Sequence, residues 1–139
     1  MRYRRIIVTR RGSPDVLRVV EDDLREPVVS EVRVKVLSTC VCLPDVQARY
    51  GDTPYPPKVP FTPGYAIVGV VDAIGDGVTR PAVGDRGAAL IITGGYSEYV
   101  FLPERQFILI PNAVDPADAV TLVLNYLVAY QSLHRTAKV

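Results

Sequence analysis

The sequence predicts a mainly β protein: a small β-barrel with a short helix after the third strand and helices at its C-terminal end. Three observations carry this. Residues 31–39 read EVRVKVLST, with Val32, Val34 and Val36 on one side and Arg33, Lys35 and Leu37 on the other. That is the period of a half-buried strand. Clusters of glycine, proline and aspartate punctuate the first 111 residues at short intervals, as turns between short strands do. Beyond Pro111 the apolar residues fall at helical spacing. The expected organisation is a barrel over residues 1–111 and a helical segment over residues 112–139.

Each element has a local reason. RRIIVTR and VLRVVED flank the turn cluster RGSPD, with Gly12 and Pro14, which predicts a hairpin. After the alternating strand, LPDVQARY suits a short helix. Pro44 fits its first position, Asp45 and Arg49 stand four apart and can pair, and Gly51 is a stop. The next stretch, GDTPYPPKVPFTPG, has five prolines in fourteen residues and predicts an ordered loop. YAIVGVVDAIG is a β-branched strand, and Gly69 within it marks a close backbone approach or a bulge. DGVTRPAVGDRGAALI is a turn and another strand; GGYSEYVFLPE and QFILIPNAV complete the set. This regular spacing predicts a closed or nearly closed barrel. In DPADAVTLVLNYLVAYQSLHRTAKV, Asp115 is an N-cap, Pro116 a first helical residue and Asp118 a first-turn acid, and Asn125 is a point of division into two helices.

Composition sets limits. Of 139 residues, 48% are apolar and 22% charged, enough for one core. The net charge of +1 supplies no field for nucleic acid or an anionic membrane. Arg2, Arg4, Arg5, Arg10 and Arg11 are followed by Asp15, Glu21, Asp22 and Asp23, a solvated face of mixed sign. No signal peptide or spanning segment is legible, so a cytoplasmic location is expected. The two cysteines, Cys40 and Cys42, stand two residues apart. So short a loop makes a poor structural disulfide and fits a reducing compartment. Beside Pro44 and Asp45, Cys42 reads three ways: a zinc ligand, the relic of one, or a small buried thiol.

PFTPGYAIVGVVDAIGDGV, VGDRGAAL, GGYSEYVFLPE and LNYLVAYQSLHRTAKV, in that order and spacing, resemble the N-terminal GroES-like domain of the medium-chain dehydrogenase/reductase superfamily. The resemblance is to its zinc-independent quinone oxidoreductase branch. It implies a GroES-like β-barrel followed by a Rossmann domain, which these 139 residues do not include. In zinc-dependent relatives, the position of Cys42 is a ligand followed by His-Thr-Asp; here Leu43-Pro44-Asp45 follows. The second ligand belongs to Gly-His-Glu, here Gly64-Tyr65-Ala66, and the third matches Leu124. A catalytic zinc needs three protein ligands, so the resemblance implies no metal. Zinc-independent relatives carry asparagine at the position of Cys42.

The resemblance implies hydride transfer from NADPH, or NADH, to a small-molecule quinone or enone. The dinucleotide would be bound mainly by a domain absent from this chain. Without a metal, the acceptor oxygen must be polarised by hydrogen-bond donors. Tyr65 is the first candidate because it replaces the ligand histidine; Tyr50 and Tyr55 are weaker ones. Cys42 would line the cleft and Asp45 would orient its residues, so Tyr65, Cys42 and Asp45 are the expected catalytic group. Gln47, Asn125 and Val128 are expected on the cofactor side: Gln47 where a relative carries a cofactor-contacting tyrosine, Val128 where the family has a threonine against the nicotinamide.

The chain stops two residues after Ala137 with neither cap nor turn, which predicts a piece awaiting further chain and inactive alone. An incomplete barrel would expose apolar surface, so a homo-oligomer is expected. Two other readings remain open: a stand-alone GroES-like binding or assembly module, and an alcohol dehydrogenase-like protein with a degenerate zinc site.

Overall fold

Arg2–Val8 (β1) and Leu17–Asp23 (β2) pair antiparallel, from Arg2 opposite Asp23 to Val8 opposite Leu17. This is the hairpin the alternation predicts, in a computed structural model that describes all residues from Met1 to Val139. The N-terminal arginines meet the acids across the ribbon. Arg2 pairs with Glu21, Arg5 with Asp22 and Arg10 with Asp15, while Arg4 reaches Glu98.

The main sheet has five antiparallel strands: Glu31–Thr39 (β3), Ala66–Ile74 (β4), Arg86–Leu90 (β5), Tyr99–Pro103 (β6) and Ile108–Leu109 (β7). Their spatial order is β6-β3-β4-β5-β7. The ribbon joins it through bridges Arg5–Ser97 and Val8–Phe61. Of the two forms expected, closed or nearly closed, the barrel is not closed: β6 and β7 remain the edges of the sheet, as an incomplete barrel requires. β7 has only two paired residues, Gly87–Leu109 and Ala88–Ile108 being its register, before Pro111 removes a ladder donor.

One face of the sheet buries Val32, Val34, Ile67, Val71, Val100, Leu102 and Phe107. Burial of each such side chain stabilises by about 1.5–3 kcal/mol. The other face buries Ala66, Val68 and Ala88 against Ala119 and Val120 of helix Pro116–Thr121 (α2). Small alanines on the strand side let the helix approach closely. Arg33, which alternation puts outside, is nevertheless buried at 9% exposure. It is held there by Asp72 at 2.6 Å and Glu26 at 3.2 Å.

Gly69 meets both readings given to it. An added Cβ would lie 2.4 Å from Val34 Cγ1 and 2.5 Å from the Lys35 carbonyl, and the β3–β4 register shifts between Val36 and Ser38. Asp115 caps α2, accepting from the N–H of Ala117 at 2.7 Å. Asn125 does not divide two helices. It lies in a wider π-helical turn, Leu122–Tyr126, that runs directly into Leu127–Gln131 (α3).

Candidate functional site

The sheet delivers the chain from β3 into helix Leu43–Tyr50 (α1), capped by Cys42. Pro44 is the second helical residue, and Gly51 closes the helix in the left-handed region at φ 81°. Asp45, the third residue, is 4% exposed. Its Oδ2 accepts from the Cys42 N–H at 2.9 Å, the reciprocal half of a capping box. Its Oδ1 accepts from the Gly64 N–H at 2.8 Å. The expected Asp45–Arg49 pair does not form. The carboxylate is spent on backbone donors at the positive end of the helix, and Arg49 turns away. It donates to the Gly12 carbonyl and lies 4.5 Å from the Tyr50 ring centroid.

Gly64 sits at φ 112°, and a Cβ there would fall 2.5 Å from Gly95 Cα. Two glycine backbones thus touch. The proline-rich loop is tied to the start of the GGYSEYV segment by the Gly95 N–H to Gly64 carbonyl bond at 3.1 Å and the Tyr96 N–H to Pro63 carbonyl bond at 2.9 Å. Tyr65 follows directly. It is partly exposed, and its carbonyl accepts from the Ile91 N–H at 2.7 Å.

The two thiols lie at the same junction. Cys42 is 3% exposed and Cys40 half-buried, both are free, and their sulfurs are 3.1 Å apart. Burial pushes the Cys40 thiol well above its ordinary value, reinforced by the contact with Cys42 and the charge of Asp45. Tyr96 completes the cluster. Its hydroxyl is buried and has no hydrogen-bond partner. Burial first, and the neighbouring Asp45 carboxylate next, hold that phenol protonated above the usual range. A cavity of about 260 Å³ opens beside Tyr96 and Asp45, walled by Leu17, Val41, Val46 and Pro63.

Among the residues singled out in the sequence, Cys42, Asp45 and the Gly64–Tyr65 step are brought together. Gln47 is partly exposed on α1 and makes no hydrogen bond to them. Asn125 and Val128 are exposed on the C-terminal helical stretch, three residues apart and so on one side of it. Tyr96 was not singled out. The glycine pair Gly94-Gly95 before it was the available signal, since adjacent glycines allow two backbones to meet. No group of three or more His, Cys, Asp or Glu side chains is arranged to hold a metal ion. His134, the lone histidine, packs 4.6 Å from the Tyr130 ring.

Residues 29–112 match the model of the alcohol dehydrogenase GroES-like domain. The chain belongs to this family. The GroES-like domain is 30% identical over 137 residues to a quinone oxidoreductase of Lama guanicoe, covering 96% of this chain and 41% of that protein. The solved human synaptic vesicle membrane protein VAT-1 homolog-like protein superposes with a TM-score of 0.92 at 28% identity, covering 100% of this chain and 45% of that one. The Escherichia coli quinone oxidoreductase complexed with NADPH superposes with a TM-score of 0.87 at 28% identity, over 96% of this chain and 41% of that one. The GroES-like chain thus spans less than half the length of the relatives it matches. The resemblance to the medium-chain dehydrogenase/reductase superfamily is borne out, with the quinone oxidoreductases among its relatives.

Proposed function

We propose that these residues form the substrate-side domain of an NAD(P)H-dependent oxidoreductase that delivers hydride to a quinone or enone without zinc. One observation carries this reading. Asp45 ties the backbone of Cys42 to that of Gly64, so one carboxylate joins a position that holds a zinc ligand in metal-dependent relatives to the residue before a second such position, which here is Tyr65. The third, Leu124, is aliphatic. A thiol, a phenol and an aliphatic side chain are not a zinc donor set.

The nicotinamide, when bound, supplies the hydride; the chain's own residues position and polarise. Tyr65 donates toward the acceptor oxygen, Cys42 lines the cleft and Asp45 orients both through the backbone. Gln47, Asn125 and Val128 face the cofactor. Most dinucleotide contacts would come from outside these residues, because no G-x-G-x-x-G segment opens a helix within them. The isolated chain is therefore inactive in this reading.

The same proposal takes residues 1–111 as the catalytic barrel unit and 112–139 as the lead into a cofactor domain. It places the protein in the cytoplasm, as a homo-oligomer, with a small-molecule substrate and no nucleic-acid or membrane partner. No helix is long and apolar enough to cross a membrane.

The test is an assay of NADPH oxidation with a small quinone, on the product of the whole open reading frame encoding this domain and on the 139-residue chain. Turnover by the former that survives a strong chelator, and none by the latter, is expected. Activity lost on chelation and restored by zinc would overturn the reading.

A further inference from the structure

We propose that Cys40 and Cys42 form a thiol modification site, which a small disulfide of the glutathione class converts reversibly into an intrachain disulfide. The proposal stands on the cysteine geometry and not on the reductase reading. The two sulfurs are 3.1 Å apart, so about 1 Å of closure separates them from a bond. Both cysteines are free. Their exposures differ: Cys40 is half-buried, packed beside Ala66 and Val68, and Cys42 is 3% exposed, so Cys40 is the more accessible of the two.

The order of events follows. The Cys40 thiolate attacks one sulfur of the small disulfide, breaking its S–S bond and releasing one small thiol, which takes up a proton. The Cys42 thiolate then attacks the Cys40 sulfur, and the second small thiol leaves. Two cysteine thiols are oxidised by two electrons and one small disulfide is reduced to two thiols. Cys42 is too buried to admit a bulky adduct, so it acts as the resolving group.

The ring has a short loop, and such disulfides are strained and easily reduced. That suits a reversible modification and not a structural staple. Closure would also act on the cleft. The Cys42 N–H holds Asp45 Oδ2, and Asp45 Oδ1 holds the Gly64 N–H. Drawing Cys42 toward Cys40 pulls on the residue that anchors the step to Tyr65.

The experiment treats the folded chain with excess oxidised glutathione at alkaline pH over hours, because burial keeps Cys40 protonated at neutral pH, then quenches in acid and reads intact mass and peptide maps. The wild type should lose the mass of two hydrogens and both alkylatable thiols, and regain them with reduced glutathione. Cys42→Ser should stop at one glutathione on Cys40, and Cys40→Ser should react at least about tenfold more slowly. The proposal is overturned if the wild type accumulates a stable glutathione adduct, joins two chains, or stays unmodified. It is equally overturned if Cys40→Ser reacts as fast as wild type. Should the serine variants fail to fold, the wild-type mass change and its reversal decide alone.

Discussion

The Asp45 carboxylate accepts the backbone N–H of Gly64, nineteen residues further on, at 2.8 Å while its other oxygen holds the Cys42 N–H. One buried acid thus fixes the start of α1 against the end of the proline-rich loop. Replacing it with alanine orphans two buried N–H donors, each costing about 1–3 kcal/mol. Asp45→Ala should lose roughly 2–4 kcal/mol in urea unfolding. Asp45→Asn, which keeps one acceptor oxygen, should lose less. Equal losses would show that the carboxylate is not bridging.

Gly64 cannot carry a side chain without separating the loop from the GGYSEYV segment. Its φ of 112° and a Cβ placed 2.5 Å from Gly95 Cα are independent penalties. Gly64→Ala should destabilise by about 3 kcal/mol or more, measured by thermal or denaturant unfolding. A near-native midpoint would rule out the glycine contact.

The Arg25–Glu31 pair supplies a pH dependence. Arg25 donates to both Glu31 oxygens, at 2.6 and 2.9 Å, and the Val28 N–H adds a third bond at 3.0 Å. The Arg25 hydrogen bonds foremost hold the Glu31 carboxyl below the usual range. A depressed carboxyl stabilises the fold above its unfolded pKa, about 4.3, and the gain is lost as pH falls through the folded value. Arg25 is half exposed, so screening limits the effect to about 0.5–1 kcal/mol. Glu31→Gln should be less stable than wild type by that amount at pH 7, with the gap closing toward pH 3. Denaturant midpoints at the two pH values check this.

Burial and the Cys42 contact keep Cys40 protonated at neutral pH. Since the thiolate is the nucleophile, iodoacetamide at pH 8 should alkylate Cys40 at least about tenfold more slowly than a free cysteine. The rate should climb as pH is raised further. Peptide mapping of timed samples reads it directly, and the same restraint makes exchange with oxidised glutathione slow at neutral pH.

The C-terminal stretch exposes a run of large apolar side chains: Leu122, Tyr126, Leu127, Val128, Tyr130 and Leu133 are each 44–65% accessible. Leu122, Leu127 and Ile110 also line a groove of about 490 Å³ against β5 and β7. Large apolar patches of this kind mark surfaces that associate. Light scattering of the purified chain should give a mass above the monomer, and Leu127→Glu should shift it down. A strict monomer at all concentrations would count against self-association.

The alternation of EVRVKVLST, the hairpin turn RGSPD, the cap at Asp115 and the stop at Gly51 were legible in the sequence. Each is a local property, set by side-chain period or by one residue's backbone preference. The family motifs were legible for the same reason: they are contiguous strings. Tertiary structure alone decided that Asp45 bonds to Gly64 and not Arg49, and that the two thiols face one another. It also showed that Tyr96 joins them with an unpartnered hydroxyl. It left β6 and β7 as the edges of the sheet, so that of the closed or nearly closed barrel expected the closed form is not reached. These outcomes depend on distances between segments far apart in the chain. A carboxylate with several donors in reach goes to the one the fold places against it, and residue order alone holds no record of that distance.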